Sequence, residues 1–495
     1  MNIEEIKLQL DKNSDQHLYI QLYSKIKKLI LNGTLKPHTK LPPIRKLAEK
    51  LNVNNITIVS AYNLLQKENL VYKKVGSGTF VNIINYDTNI EVDYKQYFHS
   101  LDKANINHYI HDSENIIDFS NTTPTNDLFP VEDFKYVINL VLDRDKGNAF
   151  KYQESQGYYP LRETIKNYLS NYKINCDTSN IQIISGAQQG IDILSKALID
   201  YGDIVFTESP TYTGAIAAFK SRTAKIIEIP IKNDGIDLNY LENKLRSFRP
   251  KFIYVMPNFQ NPTGYTYSKS KKLKLLELAN KYNTLVVEDD YLNDLSFNNE
   301  YPETLKSLDE NNRVIYIKSF SKTFMPGLRL GFMIIPMSIQ KEILIAKHIS
   351  DISTSGLMQR ALDLYIKMGL FKKHIDEINK IYKKRFDIMV KSLSNYIPKQ
   401  IGYSIPKGGL NFWLSLPHGY LSDELHELCF KKGILITPGS IFYANKIKSN
   451  SFRISIASVH ESIIEAGICQ LSEIINDLLN KSNVNKYHFN PLTHL

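Results

Sequence analysis

Between residues 116 and 480 short apolar runs recur, and helical spacing fills most of the gaps between them. The runs are Ile181–Ile184, 204–207, 252–256, 285–288 and 314–317. A run that is apolar at nearly every position has no face to give to water, so each reads as a strand buried on both sides. Such strands alternating with helices predict an α/β fold, a mainly parallel sheet with helices on both faces. At 495 residues the chain exceeds what one core usually organises, and two or three domains are expected.

The N-terminal segment has a different rhythm. Ile20, Tyr23, Ile26 and Ile30 recur at three- and four-residue steps until Asn32-Gly33. Leu41-Pro42-Pro43 is expected to open a second helix, because proline is tolerated in a first turn; its apolar face is Ile44, Leu47, Ala48 and Leu51. After Asn52-Val53-Asn54-Asn55 a third helix is predicted over 55–68, carrying Ile58, Ala61, Tyr62 and Leu65. Two β-prone runs flank Gly76-Ser77-Gly78, which predicts a hairpin. Three helices and a basic hairpin make a winged helix-turn-helix. Residues 1–85 hold 13 Lys+Arg against 6 Asp+Glu, so this sixth of the chain carries most of the net charge of +10. That asymmetry points to a polyanion.

A helix-turn-helix places its second helix in the major groove of double-stranded DNA. Asn54, Asn55 and Thr57, at the start of that helix, are the expected base-edge contacts, since asparagine can bond adenine through two hydrogen bonds. Arg45, Lys46, Lys50, Lys73 and Lys74 are the expected phosphate contacts. The segment 17–82 resembles the GntR family of bacterial regulators. The resemblance rests on Leu41-Pro42-Pro43-Ile44-Arg45-Lys46-Leu47-Ala48, Ala61-Tyr62-Asn63-Leu64-Leu65 and Gly76-Ser77-Gly78-Thr79-Phe80-Val81. The family usually has Ser-Arg ahead of its Thr-Val, whereas Asn54-Asn55-Ile56 stands before Thr57-Ile58 here. An operator sequence therefore cannot be carried over.

The densest chemistry lies in Ser319-Phe320-Ser321-Lys322-Thr323-Phe324-Met325-Pro326-Gly327-Leu328-Arg329-Leu330-Gly331-Phe332. A lysine that condenses with an aldehyde cofactor needs a fixed position and partners for the cofactor's phosphate. The hydroxyls of Ser319 and Ser321 and the guanidinium of Arg329 offer them. Ser185-Gly186-Ala187-Gln188 follows the run Ile181–Ile184 and opens a helix, whose free amides form an anion site. Arg453 sits in the apolar run Phe452-Arg453-Ile454-Ser455-Ile456, and a buried arginine requires an anionic partner.

The lysine string resembles that of the fold-type I aminotransferases, and residues 116–480 resemble their catalytic domain. The resemblance implies pyridoxal 5′-phosphate (PLP) as a Schiff base on Lys322 and a smaller C-terminal α+β subdomain. It implies a phosphate site at Gly186, Ala187, Gln188, Ser319, Ser321 and Arg329. Asn261, in Pro257-Asn258-Phe259-Gln260-Asn261-Pro262-Thr263-Gly264, and Tyr291 then take the ring oxygen. Asp289 takes the pyridine nitrogen, with Asp290 as the alternative. Tyr212 stacks on the ring, Tyr152 reaches a neighbouring subunit's phosphate, and Arg453 clamps the carboxylate of an amino compound.

A GntR-like head joined to such a domain resembles the MocR regulators. The expected organisation is a head over 1–83, a linker over 84–115, a PLP-binding domain over 116–480 and a tail over 481–495. The expected function is a DNA-binding transcription regulator that senses PLP or an amino compound through Lys322. The alternative is an active aminotransferase. The resemblance implies a homodimer and admits heads that cross between subunits. Cys176, Cys429 and Cys469 lie far apart and suggest neither a metal site nor a disulfide framework. With no apolar run long enough to span a bilayer and no apolar leader after Met1, no membrane is expected and the location reads as cytoplasmic.

Overall fold

The computed structural model describes residues 10–11, 17–31, 34–68, 70–74, 76–82, 116–297, 301–445 and 447–487, with side chains to 480. The chain divides into two compact units, Met1–Asp93 and Tyr94–Leu495. The predicted linker 84–115 lies outside the described residues.

In the first unit, helices α1 (Leu18–Leu31), α2 (Ile44–Leu51) and α3 (Asn55–Lys67) precede the antiparallel strands β1 (Val71–Lys74) and β2 (Gly78–Val81). Leu22, Ile26, Ile30, Leu47, Ile58 and Leu65 form one core, each at most 3% exposed. The second helix starts three residues later than the sequence suggests. Pro43 is its N-cap, and the Leu41 amide pairs with Thr79 O at 2.8 Å instead of entering the helix. Successive prolines account for this, since a residue before proline avoids the helical region. Asn52 ends α2 with a left-handed φ of 51°, and the side chain of Asn54 caps α3 by accepting the Ile56 amide at 3.0 Å.

The second unit centres on an eight-stranded sheet: β3 (Ile181–Ile184), β4 (Ile204–Ser209), β5 (Lys225–Lys232), β6 (Gly235–Ile236), β7 (Phe252–Val255), β8 (Leu285–Asp290), β9 (Val314–Ser319) and β10 (Gly331–Ile334). Their order is β3-β10-β9-β8-β7-β4-β5-β6. Pairings within β9-β8-β7-β4-β5 are parallel; β10 is antiparallel to both β9 and β3, and β6 to β5. β3, β7 and β9 are buried at every position, which is the apolar-run signal seen in the sequence. Gly190, on helix α4 (Ala187–Leu198), lets that helix lie close on the sheet, because a Cβ there meets Ile184 Cδ1 at 2.8 Å. A second, antiparallel sheet follows, built from β11 (Gly402–Tyr403), β12 (Asn411–Ser415), β13 (Thr437–Pro438) and β14 (Ser451–Ser455) in the order β11-β12-β14-β13. The last helix, Glu461–Tyr487, runs beyond the boundary expected at 480. Among the described residues no helix is long and apolar enough to cross a membrane.

Candidate functional site

The C-terminal ends of the parallel strands supply the site, as open α/β sheets do generally. β3 ends at Ile184 and the chain turns through Ser185 and Gly186 into α4. Gly186 has a φ of 88°, and a Cβ on it would lie 2.9 Å from Arg329 Nη2. That arginine folds across the turn, donating from Nη2 to Ser185 O at 2.8 Å. The glycine is therefore required twice, for its dihedral and for the guanidinium above it. Among the described residues the amides of Ala187 and Gln188 make no backbone hydrogen bond and remain the open donors of the helix start. Ser319 ends β9 opposite Gly331, and its Oγ accepts the Ser321 amide at 3.1 Å.

Lys322 follows directly. Burial pushes its ammonium down to about 8, and the positive charges of Arg453 and Arg329 push the same way. Among the described residues no carboxylate offsets them. Arg453 is itself buried: Nη1 donates to Asn261 Oδ1 at 2.7 Å, Nη2 to Ser120 O at 2.7 Å and to Thr437 Oγ1 at 3.2 Å. All of those acceptors are neutral, Nε has no partner among the described residues, and burial lowers the guanidinium to about 10. Arg453 interacts electrostatically with Lys322, Tyr291 and Tyr212, so these groups share one neighbourhood.

The adjacent carboxylates on β8 separate by face, as strand alternation demands. Asp290 accepts from Tyr316 OH at 2.5 Å and from the Asn293 amide at 2.9 Å, with Lys318 Nζ 3.7 Å away. Asp289 accepts from Tyr254 OH at 2.5 Å; its Oδ1 is buried without a partner among the described residues. Burial, strongest among the causes, raises the Asp289 carboxyl to about 7. The two aspartates that the sequence left open thus differ: Asp290 is fully engaged, and Asp289 holds a lone pair in reserve. The Tyr291 hydroxyl donates to Phe259 O at 2.7 Å and accepts from Asn411 Nδ2 at 2.9 Å. Tyr212 caps helix Thr213–Ser221, and its ring fills the space a Cβ on Gly214 would need. Tyr152 stays apart, 82% exposed.

In the head, Arg45, Lys46, Asn55, Lys73 and Lys74 are exposed and Thr57 is half-buried. Lys73 Nζ donates to Asn63 Oδ1 at 3.0 Å, tying the hairpin to α3. The carbonyl oxygen of Asn54 is spent on its cap, which removes half of the two-point contact expected with adenine.

Two family models cover the described units. Aminotransferase class I and II matches residues 114–470, and bacterial regulatory proteins of the gntR family match 18–81. The chain belongs to the class I and II aminotransferase family and carries a GntR head. Such a chain is a MocR-type transcription regulator, and one relative spans both parts: the HTH-type transcriptional regulator YdfD of Bacillus subtilis is 31% identical over 94% of this chain and 97% of its own. The kynurenine aminotransferase of Pyrococcus horikoshii, solved in complex with PMP, is 34% identical, with a TM-score of 0.72 over 76% of this chain and 94% of its own. LysN, the alpha-aminoadipate aminotransferase of Thermus thermophilus, complexed with N-(5′-phosphopyridoxyl)-L-leucine, is 30% identical, with a TM-score of 0.70 over 77% and 99%.

PLP is the cofactor of the aminotransferase domain. The residues present fit it: a buried carboxylate oxygen without a partner among the described residues, a glycine turn under an arginine, and a half-buried lysine whose ammonium is lowered to about 8. Tyr254 and Asn411 complete the site and escaped the sequence reading. Tyr254 left a signal, because a tyrosine inside a strand buried throughout must find a partner for its hydroxyl.

Proposed function

We propose that this chain is a PLP-dependent transcription regulator whose aminotransferase domain senses PLP, an amino compound, or both, and biases the GntR head on operator DNA. The observation that carries the proposal is Lys322: a lysine lowered to about 8 by burial and by the charges of Arg453 and Arg329, in a chain that also carries a DNA-binding head. In this reading bound PLP supplies an aldehyde that amines attack and a ring that withdraws electrons.

The protein's own groups do the rest. The amides of Ala187 and Gln188, the hydroxyls of Ser319 and Ser321, and Arg329 hold the phosphate across the Gly186 turn. Asp289 Oδ1 takes the ring N–H, and Tyr254 fixes that carboxylate's rotamer. Asn261 is oriented by Arg453: with Oδ1 held by the guanidinium, its amide N–H groups would be left to donate to the ring oxygen. Tyr291, whose hydroxyl now donates to Phe259 O, would offer a second partner to that oxygen, and Tyr212 would supply an aromatic face for the ring. Arg453, surrounded by neutral acceptors, receives the carboxylate of an amino compound. A ligand changes the head only through unequal affinity for its two arrangements, and DNA must then change ligand affinity equally.

A homodimer is part of the proposal. Leu344, Ile345, Ile349 and Ile352 lie exposed on or just beyond helix Gln340–Asp351, and Phe150 and Tyr152 are exposed as well. An apolar surface of this kind suits a second copy. The alternative, an active aminotransferase, is favoured by the same Arg453, whose Nε has no hydrogen-bond partner among the described residues. The experiment is binding of the full chain to its own upstream DNA with and without PLP and amino acids, alongside an assay for keto-acid release. DNA affinity that no ligand alters, with turnover of an amino acid, would favour the enzyme.

A further inference from the structure

α3 buries Ile58, Ala61, Tyr62 and Leu65. At about 100° per residue the opposite side is occupied by Ile56, Val59, Ser60, Asn63 and Lys67. The outward stripe is therefore apolar at Ile56, near its middle and 70% exposed, and at Val59 on its flank, 37% exposed, with half-buried Ser60 beside them. Neither is chosen for helix stability, since β-branched residues lose rotamer freedom there. The polar groups nearby are largely committed, with Asn54 capping the helix and Asn63 accepting from Lys73. Two elements packed on α3 carry exposed cations, Arg45 and Lys46 on α2, Lys73 and Lys74 on β1, and Lys73 reaches Asn63 on the outward stripe. An apolar patch with cations on the elements beside it matches one feature of duplex DNA. In the major groove the thymine 5-methyl is the one apolar mark on a base edge, and the phosphates flank it.

We propose that Ile56, supported by Val59, reads thymine methyl groups in the operator and is a specificity-determining residue of the head. The inference rests on the DNA-binding reading of that head. Asn55 and Ser60, beside the apolar pair, then supply polar contacts to neighbouring bases.

The test uses full-length protein and duplexes selected by it from random sequence. Each thymine in the selected site is replaced in turn by deoxyuridine, which keeps every hydrogen bond and removes only the methyl. One or two positions in each half-site should weaken binding about fourfold per methyl lost. Ile56→Ala should bind thymine and uracil duplexes equally, with unchanged circular dichroism and unchanged salt dependence. Ile56→Val, which retains the branched carbon, should restore part of the discrimination. Sequence-specific binding indifferent to uracil at every position overturns the proposal alone, as does an Ile56→Ala protein that still discriminates. Absence of any sequence preference overturns the DNA-binding reading together with it.

Discussion

Tyr254 donates its hydroxyl to Oδ2 of Asp289 across the β7–β8 pairing, and the second oxygen of that carboxylate stays open among the described residues. Its neighbour Asp290 has no such opening, because Tyr316, Asn293 and Lys318 surround it. The pair therefore separates by mutation. Asp289→Asn should lower PLP affinity at least tenfold with little loss of fold stability. Asp290→Asn should keep the cofactor and destabilise the fold by on the order of 3 kcal/mol, since it leaves buried Lys318 with Asp294 alone. Denaturant titration and cofactor titration of both variants check this.

A pH dependence follows from the same carboxyl. Raised from 3.8 to about 7, Asp289 keeps its proton in the folded state after the unfolded chain has released it. The folded state then binds more protons, so this group's contribution to cofactor-free stability is present at low pH and is lost as pH climbs toward 7. Asp289→Asn should flatten that part of the stability profile, measured by urea unfolding at several pH values. An unaltered slope in the variant counts against the raised pKa.

Lys322 titrates in the other direction. Its ammonium is lowered to about 8, so the neutral amine that attacks an aldehyde becomes the major form above that pH. The rate of PLP capture, followed by the visible absorbance of lysine-bound cofactor, should rise with pH and level off just above 8. Lys322→Ala should show no such band. Arg453→Met removes one of the repelling cations and should move the midpoint upward. A midpoint above 10 in the unmutated protein would show the lysine to be ordinary.

Much of the scaffold was legible in the sequence because it obeys simple periodicities. The apolar runs at 181–184, 252–256 and 314–317 became strands β3, β7 and β9, and the three- and four-residue steps of the head became α1 to α3. Local motifs also located Lys322, Gly186 and Arg329, because a strand-turn-helix and a lysine string are contiguous. What stayed hidden depends on which way a side chain faces. Adjacent Asp289 and Asp290 look alike until the pleat sends them to opposite sides. Asn54 looks like a base reader until the helix start claims its oxygen, and nothing in the local pattern singles out Ile56 until the helix turns it outward. Tyr254 and Asn411 enter the site from strands far away in the chain, which no local pattern announces.

Arg453 divides ligand recognition from cofactor retention. Its three hydrogen bonds go to neutral acceptors, and a carboxylate adds the missing charge in a buried setting. Arg453→Gln should weaken amino acids by about 1.5–3 kcal/mol, the range for hydrogen bonds to charged groups, and leave simple amines unaffected. Competition between an α-amino acid and its decarboxylated amine for the site, read by spectral shift, measures the difference. Equal weakening of both would mean that Arg453 acts through Asn261 alone.

Tyr152 is 82% exposed on the chain that carries it, which leaves it open to a neighbouring subunit. If it completes the phosphate site of a partner subunit, two defective proteins can repair one another. A mixture of Tyr152→Ala and Lys322→Ala chains forms heterodimers in which one site combines an intact lysine with an intact tyrosine and the other has lost both. Cofactor affinity at that single site should return to the unmutated value, while each parental homodimer stays weak or empty. If the tyrosine serves its own subunit, every heterodimer site lacks one of the two groups and no tight site appears. Titrating PLP into an equal mixture and counting high-affinity sites separates the outcomes: one tight site in each mixed dimer for action across the interface, none for action within a chain.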